Sequence, residues 1–424
     1  MNITRRFFLK SSGALALYCG ISPLRVLAEA GISAGDIKAV NRGKTIVVIF
    51  LRGGMDGLNF IVPHGDPAYA KLRKSIMIGA PGSKDGALDL DGFFGLHPRA
   101  TALQPLFAQG GARALHAVGY DLNTRSHFEE QDTWETGVTG NTISSDGWLN
   151  RHLLTSRGHG PVRAVSIGND LPRILRGQAP AYALHGIADL KMPSMMPNDE
   201  VAMKNALEFA YCTPAAEQRS HASDLLAQTA GTTIEGIETI RRSAQANYQP
   251  GAKYPKTEIS RRLMEAARFI KTDIGLEVIE IDYGGWDTHQ NQGNVFGSYG
   301  NLVQDLADGI AAFHQDLGER MKDTLLLTIS DFGRTAAENG NGGTDHGWAN
   351  CMLAVGGDLS NKPVASPVLT RWPGLAPEQL HQKRDLLHTT DFRDVLGEVV
   401  ANHLGNPLLQ TVLPNHEFKP VGLV

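Results

Sequence analysis

The chain has 424 residues, 42% of them hydrophobic and 20% charged, with a formal net charge of -4 and three cysteines. That composition is too apolar for a disordered chain, too weakly charged for a coiled coil and too poor in cysteine for a disulfide scaffold. It also lacks the basic excess of a nucleic-acid binder. Glycine makes up about 11% of the chain, 47 residues, against a usual ~7%, so where the glycines fall is itself informative.

The segment Thr4-Arg5-Arg6-Phe7-Phe8-Leu9-Lys10, followed by an apolar, small-residue run from Gly13, reads as a twin-arginine export signal. Ala28-Glu29-Ala30 places small residues where signal peptidase needs them, so cleavage is expected after Ala30. Tyr18 is too bulky for the position before a lipidated cysteine, which sets Cys19 aside. Residues 1–30 carry four basic residues and one acidic residue, so their removal takes the charge from -4 to -7 over 394 residues. No later stretch is apolar for the ~18 residues a membrane span needs. The expectation is a periplasmic or secreted protein that meets the twin-arginine translocase during export and has no membrane anchor. Cys212 and Cys351 then remain, as two buried thiols or as a pair.

In chain order, the β-branched run over 45–51 predicts a strand buried on both faces. It breaks off in Arg52-Gly53-Gly54-Met55-Asp56-Gly57. Helical spacing with an early proline follows over 98–109, then strands over 112–118 and 162–167. The stretch 196–272 is mostly helical in pattern, with segments at 200–211, 215–229 and 259–272, and reads as a cap or an edge insertion. Strands are expected over 276–281, 324–329 and 350–355, and helices over 302–321 and 390–403. Apolar strands alternating with helices predict one α/β domain over 31–424, with a mainly parallel sheet covered by helices on both faces. Ligands of such sheets bind beyond the carboxyl ends of the strands.

Four polar clusters fall there. They are Arg52 to Asp56, Asn123-Thr124-Arg125-Ser126-His127-Phe128-Glu129-Glu130, Trp286-Asp287-Thr288-His289, and Asp331-Phe332-Gly333-Arg334 with Asp345-His346. Asp56, Asp287, His289, Asp331 and His346 are ligand types suited to one or two divalent ions such as zinc or manganese. Such an ion assists phosphoryl or sulfuryl transfer. Ser126, or Thr124, at a helix start suits a hydroxyl nucleophile. Arg52, Arg125 and Arg334 suit bidentate grip on an anion. Each residue also has a structural explanation. Asp56 fits a turn-former, Ser126 with Glu129 fits a capping box, and His127 fits a packed or exposed histidine. The Asp331-Phe332-Gly333 tripeptide lacks the accompanying motifs of a kinase.

Together these segments resemble a twin-arginine-exported family catalogued as domain of unknown function 1501. The matching pieces include Phe50 to Asn59, Gly95 to Pro98, Arg125 to Phe128, Asp146 to Arg151, Gly285 to His289, Asp331 to Thr335 and Gly342 to Gly347. That family looks like a remote branch of the alkaline phosphatase and sulfatase superfamily. The resemblance implies a mainly parallel α/β sheet, a bound divalent metal and hydrolysis of phosphate or sulfate esters of small molecules or glycans. It implies metal-binding roles for Asp56, Asp287, His289, Asp331 and His346, and a nucleophile at Ser126. Phe332 stands where the superfamily has a histidine, and the Cys/Ser-x-Pro-x-Arg element of formylglycine sulfatases is missing. The Phe332 departure motivates a second expectation, a non-catalytic periplasmic binding or assembly protein on a degenerate scaffold.

Overall fold

The computed structural model of the protein describes residues 43–140, 144–158, 160, 162–186, 235–236, 238–240 and 248–424. The export segment, the helical patterns at 200–211 and 215–229, and Cys212 lie outside the described residues. Strand β1 (Thr45–Leu51) is the run read from the sequence, and every one of its residues is buried. Its alternation assigns the two faces of the sheet. Val47, Ile49 and Leu51 pack with Ile259, Leu263, Phe269, Val303 and Phe313. Ile46, Val48 and Phe50 pack with Trp134, Trp148, Leu153, Phe392 and Val395.

A small sheet joins β2 (Ile61–Val62), β3 (Leu88–Asp89) and β4 (Gly95–Leu96). The main sheet continues with β5 (Ala112–Gly119), β6 (Ala164–Ile167), β7 (Tyr182–Leu184), β8 (Val278–Tyr283), β9 (Thr324–Ser330), β10 (Asn350–Gly356), β11 (Val368–Leu369) and β12 (Thr390–Asp391). Its order is β11-β5-β10-β9-β1-β8-β6-β7, with β12 beside β5. Helices α1 (His127–Thr136), α2 (Trp148–Thr155) and α5 (Phe392–Glu398) supply one apolar layer. Helices α3 (Glu258–Lys271) and α4 (Ser298–Leu317) supply the other. No helix among the described residues is long and apolar enough to cross a membrane.

The sheet is mainly parallel, as the alternation of elements predicted. β1 pairs in parallel with β8 and β9, and β6 with β7 and β8. Strand β10 differs, because it runs antiparallel to both β9 and β5. A parallel partner requires a crossover back to the starting end, usually a helix. The link from β9 to β10, residues 331–349, contains no helix. It stays at the carboxyl end of β9, so β10 can only run back down. That link carries Asp331, Arg334 and His346.

Two glycines let the arms of the link close on each other. Arg334 and His346 form an antiparallel bridge. A Cβ on Gly333 would lie 1.8 Å from the Ala349 carbonyl oxygen, and one on Gly347 would lie 2.3 Å from the Arg334 carbonyl carbon. Both neighbours are backbone and cannot swing aside. Gly340, at the tip of the same link, is exposed with nothing within 4 Å of its Cβ position. Gly347→Ala is therefore expected to destabilise the fold by ~1–3 kcal/mol, and Gly340→Ala to stay within about ±0.5 kcal/mol. Urea unfolding of the two variants measures the contrast, and equal effects would refute the close-approach explanation.

Candidate metal centre

At the carboxyl ends of β1, β8 and β9 four chain segments meet. After β1 the chain turns through Gly53 and Gly54, at φ 115° and 69°. The Gly53 amide donates to Asp331 Oδ1 at 3.1 Å. Asp331 is fully buried, and its other oxygen accepts from His127 Nδ1 at 2.6 Å and from the Gln131 side-chain amide at 2.9 Å. His127 and Gln131 are one turn apart at the start of α1, so one face of that helix presents both donors to one carboxylate. Beyond β8, His289 Nδ1 donates to Asp345 Oδ1 at 3.0 Å. In the link to β10, His346 Nδ1 donates to the Arg125 carbonyl at 2.9 Å.

Each imidazole thus spends its Nδ1 proton on an oxygen that can only accept, which leaves Nε2 of the neutral ring as a lone pair. All three Nε2 atoms point at the same place. They lie 3.5 Å (His127), 3.1 Å (His289) and 3.3 Å (His346) from Asp287 Oδ1. His289 Nε2 and His346 Nε2 are 2.9 Å apart. His127 Nε2 is buried without a hydrogen-bond partner. The ligand atoms of His127, Asp287 and His346 all fall within 4.8 Å of one another. Lone pairs crowded on a carboxylate repel unless a cation sits among them. Donors ~2.0–2.1 Å from a tetrahedral ion lie roughly 3.3 Å apart, and ligating histidines commonly donate their other N–H to a carboxylate or carbonyl. These residues fit a divalent ion.

The electrostatics agree. Burial works against the charge of Asp287, but the Arg334 hydrogen bond and charge hold its carboxyl below the usual range. Burial likewise opposes the charge on Asp331, and the bonds from His127, Gln131 and the Gly53 amide outweigh it. Burial pushes His346 down, toward the neutral ring that a metal needs. The hydrogen bond to Asp331 pushes His127 up in the metal-free state. Phe332, fully buried, lies with its ring centroid 4.7 Å from those of both His127 and His346 and walls off the back of the cluster.

Of the residues expected at the site, Asp287, His289 and His346 face the centre directly. Asp331 stands one step behind, orienting His127. Asp56 is elsewhere. It is fully buried, paired with Arg73 Nη1 at 2.6 Å and with the Gln292 amide at 2.6 Å. β1 stops at Leu51, so Asp56 comes after the glycine turn and faces a different network. Gln292 accepts from the hydroxyls of Thr288 and Thr344, so Asp56 braces the loops that carry His289 and His346. Arg334 does not offer an anion clamp, because its guanidinium is enclosed by the carbonyls of Gly53, Gly54, Trp286 and Thr344 and by Asp287. Arg125 spends its Nε and Nη2 on Asp385 and Gln382.

Ser126 is the N-cap residue of α1, half-buried, and makes no side-chain cap hydrogen bond. The capping-box alternative is therefore not realised. The Thr124 hydroxyl instead donates to Glu130, which leaves Ser126 as the freer hydroxyl. His127 is the residue that sequence reasoning passed over. The signal available was its i,i+4 spacing with Gln131 at a helix start beside Ser126. Cys351 is a buried free thiol.

In protein stripped of metal, the His127–Asp331 pair carries a pH signature. His127 is raised, so its contribution is complete below the ordinary imidazole value and fades as pH climbs through the raised one. Asp331 is lowered, so its contribution is present above the ordinary carboxyl value and is lost as pH falls through the lowered one. The pair is at full strength between about pH 4 and 6.5. The stability difference between the protein and Asp331→Asn should be largest in that window, measured by urea unfolding in chelator. A difference flat with pH would show that the two groups are not coupled.

Comparison with known proteins places the chain in a family. A crystal structure of Ps i-CgsB is similar at 13% identity and a TM-score of 0.36, over 88% of this chain and 74% of that one. The PsFucS1 sulfatase from Pseudoalteromonas sp. is similar at 13% identity and a TM-score of 0.33, over 99% and 78%. The phosphonate monoester hydrolase of Agrobacterium radiobacter is similar at 8% identity and a TM-score of 0.28, over 89% and 79%. Likeness at these scores carries no weight for the site, whose chemistry stands on this chain's own residues. No curated protein matches the sequence. The model of the family described as Protein of unknown function (DUF1501) matches residues 112–406, about 70% of the chain and all four residues of the cluster. The chain belongs to that family.

Proposed function

We propose that the protein is an exported, metal-dependent hydrolase of phosphate or sulfate esters, with one divalent ion, zinc before manganese, held by His127, Asp287, His289 and His346. The observation that carries this reading is the convergence of three Nε2 lone pairs on Asp287 Oδ1 while every Nδ1 is bonded to an oxygen. A set of nitrogens with one carboxylate suits zinc better than a hard cation. Bound there, the ion supplies Lewis-acid polarisation of an ester oxygen. The protein's own residues do the rest. Asp331, Asp345 and the Arg125 carbonyl keep the imidazoles aimed. Ser126 offers the nucleophilic hydroxyl. The first amides of α1, uncapped by any side chain, favour negative charge beside it.

Charge balance favours a singly charged ester, such as a sulfate monoester or a phosphodiester. Asp287, Asp331, Asp345 and Asp385 stand against Arg125, Arg334 and Arg384, a net of one negative charge. A divalent ion turns this to one positive charge, which one substrate charge neutralises. Arg384 is the most open of these arginines, with its side chain 42% exposed. It replaces Arg125 and Arg334 as the residue proposed to meet the anion. Export rests on the Arg5-Arg6 signal; the twin-arginine route carries folded proteins, which suits a site loaded before transport to the periplasm or beyond. One observation favours the alternative of a non-catalytic binding or assembly protein. Arg125 and Arg334, expected to grip an anion, are both spent on structural bonds.

Elemental analysis of the protein beginning after Ala30 should find about one divalent ion per chain, lost in the His289→Ala/His346→Ala double variant. Sulfate monoesters and phosphodiesters should turn over faster than phosphate monoesters. Ser126→Ala should lower kcat by at least ~10³-fold with metal content intact. Metal uptake without turnover across that panel would favour the non-catalytic reading, and absence of metal uptake would refute both the centre and the hydrolase.

A further inference from the structure

A turn at residues 381–385, outside every segment singled out from the sequence, grips His346 at two points. His381 and Asp385 close it with an antiparallel bridge, the His381 amide donating to the Asp385 carbonyl at 2.8 Å and the Asp385 amide to the His381 carbonyl at 3.0 Å. Between them Gln382 and Lys383 both hold positive φ, 53° and 58°. Glycine or asparagine adopts that conformation at lower cost. From this turn Arg384 Nη2 donates to the His346 carbonyl at 2.6 Å. Asp385, its side chain fully buried, accepts from Arg125 Nε at 2.9 Å and Nη2 at 2.6 Å, and Gln382 Oε1 accepts from the same Nη2 at 2.8 Å. Arg125 is itself at positive φ, 59°, and its carbonyl is the acceptor for His346 Nδ1.

Three strained non-glycine residues in one small network ask for a cause. An arginine with 22% of its side chain exposed, as Arg125 has, gains little from an ordinary surface ion pair. Here the partner carboxylate is buried, and its Oδ1 has no hydrogen bond, an arrangement costly to maintain. What the network secures is the direction of the Arg125 carbonyl. If that carbonyl turned away, the proton of His346 would be free to move to Nε2, the nitrogen facing Asp287, and the lone pair there would be lost.

We infer that the 381–385 turn is a positioning device for His346, and that Asp385, through Arg125, holds the imidazole in the tautomer able to bind a cation. Asp385 is a positioning residue and touches neither the ion nor a substrate. The inference rests on the reading of the cluster as a metal centre, but its first readout does not. In the metal-free full-length protein, the nitrogen-15 shifts of His346 should report the Nδ1–H form, and Asp385→Ala should convert a substantial fraction to the Nε2–H form. Zinc affinity, measured by competition with a chromophoric chelator, should fall ~10–100-fold in the same variant. Asp385→Asn keeps the side-chain volume and serves if Asp385→Ala does not fold, with a smaller shift in the same direction. Arg384→Ala, at a more exposed position, tests the second grip. A variant with the His346 tautomer and zinc affinity both unchanged overturns the inference, whatever its stability. A tautomer shift in a protein that takes up no zinc supports the positioning role and overturns the metal centre.

Discussion

An imidazole has one proton to place when neutral, and the structure depends on where three of them are placed. Asp331, Asp345 and the Arg125 carbonyl each claim the Nδ1 proton of one ring. Every Nε2 must then face inward as a lone pair, toward a carboxylate that is itself negative. The surrounding scaffold keeps the three rings aimed at that carboxylate. Gln131 and the Gly53 amide secure Asp331, and Arg334 secures Asp287. Asp56 secures the loops through Gln292.

This accounts for how the arginines are used. Arg334 and Arg73 are both fully buried, and each is wrapped by carbonyls and an aspartate. A guanidinium has five donors in a rigid fork and can tie several backbone segments at once. Arg334 ties the β1 turn to the segment before Asp287 and to the loop at Thr344. Arg73 ties Asp56 to the backbone at Thr335 and Ala336. At these two positions arginine joins loops, and the positive charge comes with that role.

Much of the architecture was legible in the sequence. The run over 45–51 was legible as β-branched and uninterrupted, the run over 324–329 as apolar and uninterrupted, and the glycine and aspartate breaks marked where each strand stops. Asp287 and His289 were legible because they come a few residues after such a break. The antiparallel course of β10 was hidden, since its apolar run looks the same in either direction and only the helix-free link to it decides. His127 was hidden because the Ser126–Glu129 spacing explained the helix start without it. Asp56, Arg125 and Arg334 were placed at the centre because a sequence shows residue types at strand ends but not which way each side chain turns. Their actual partners, Arg73, Asp385 and a set of carbonyls, carry no local mark.

The centre is drawn from segments far apart in the chain, with Arg125 and His346 separated by 221 positions. Contacts of that range form late, after the loops between them have been closed at an entropic cost. The four clustered residues come from three separate segments, at 127, 287–289 and 346. Under the proposed function, capture of an ion at this place would amount to a proofreading step, because the site is complete only when β1, β8, β9 and the link to β10 are in place.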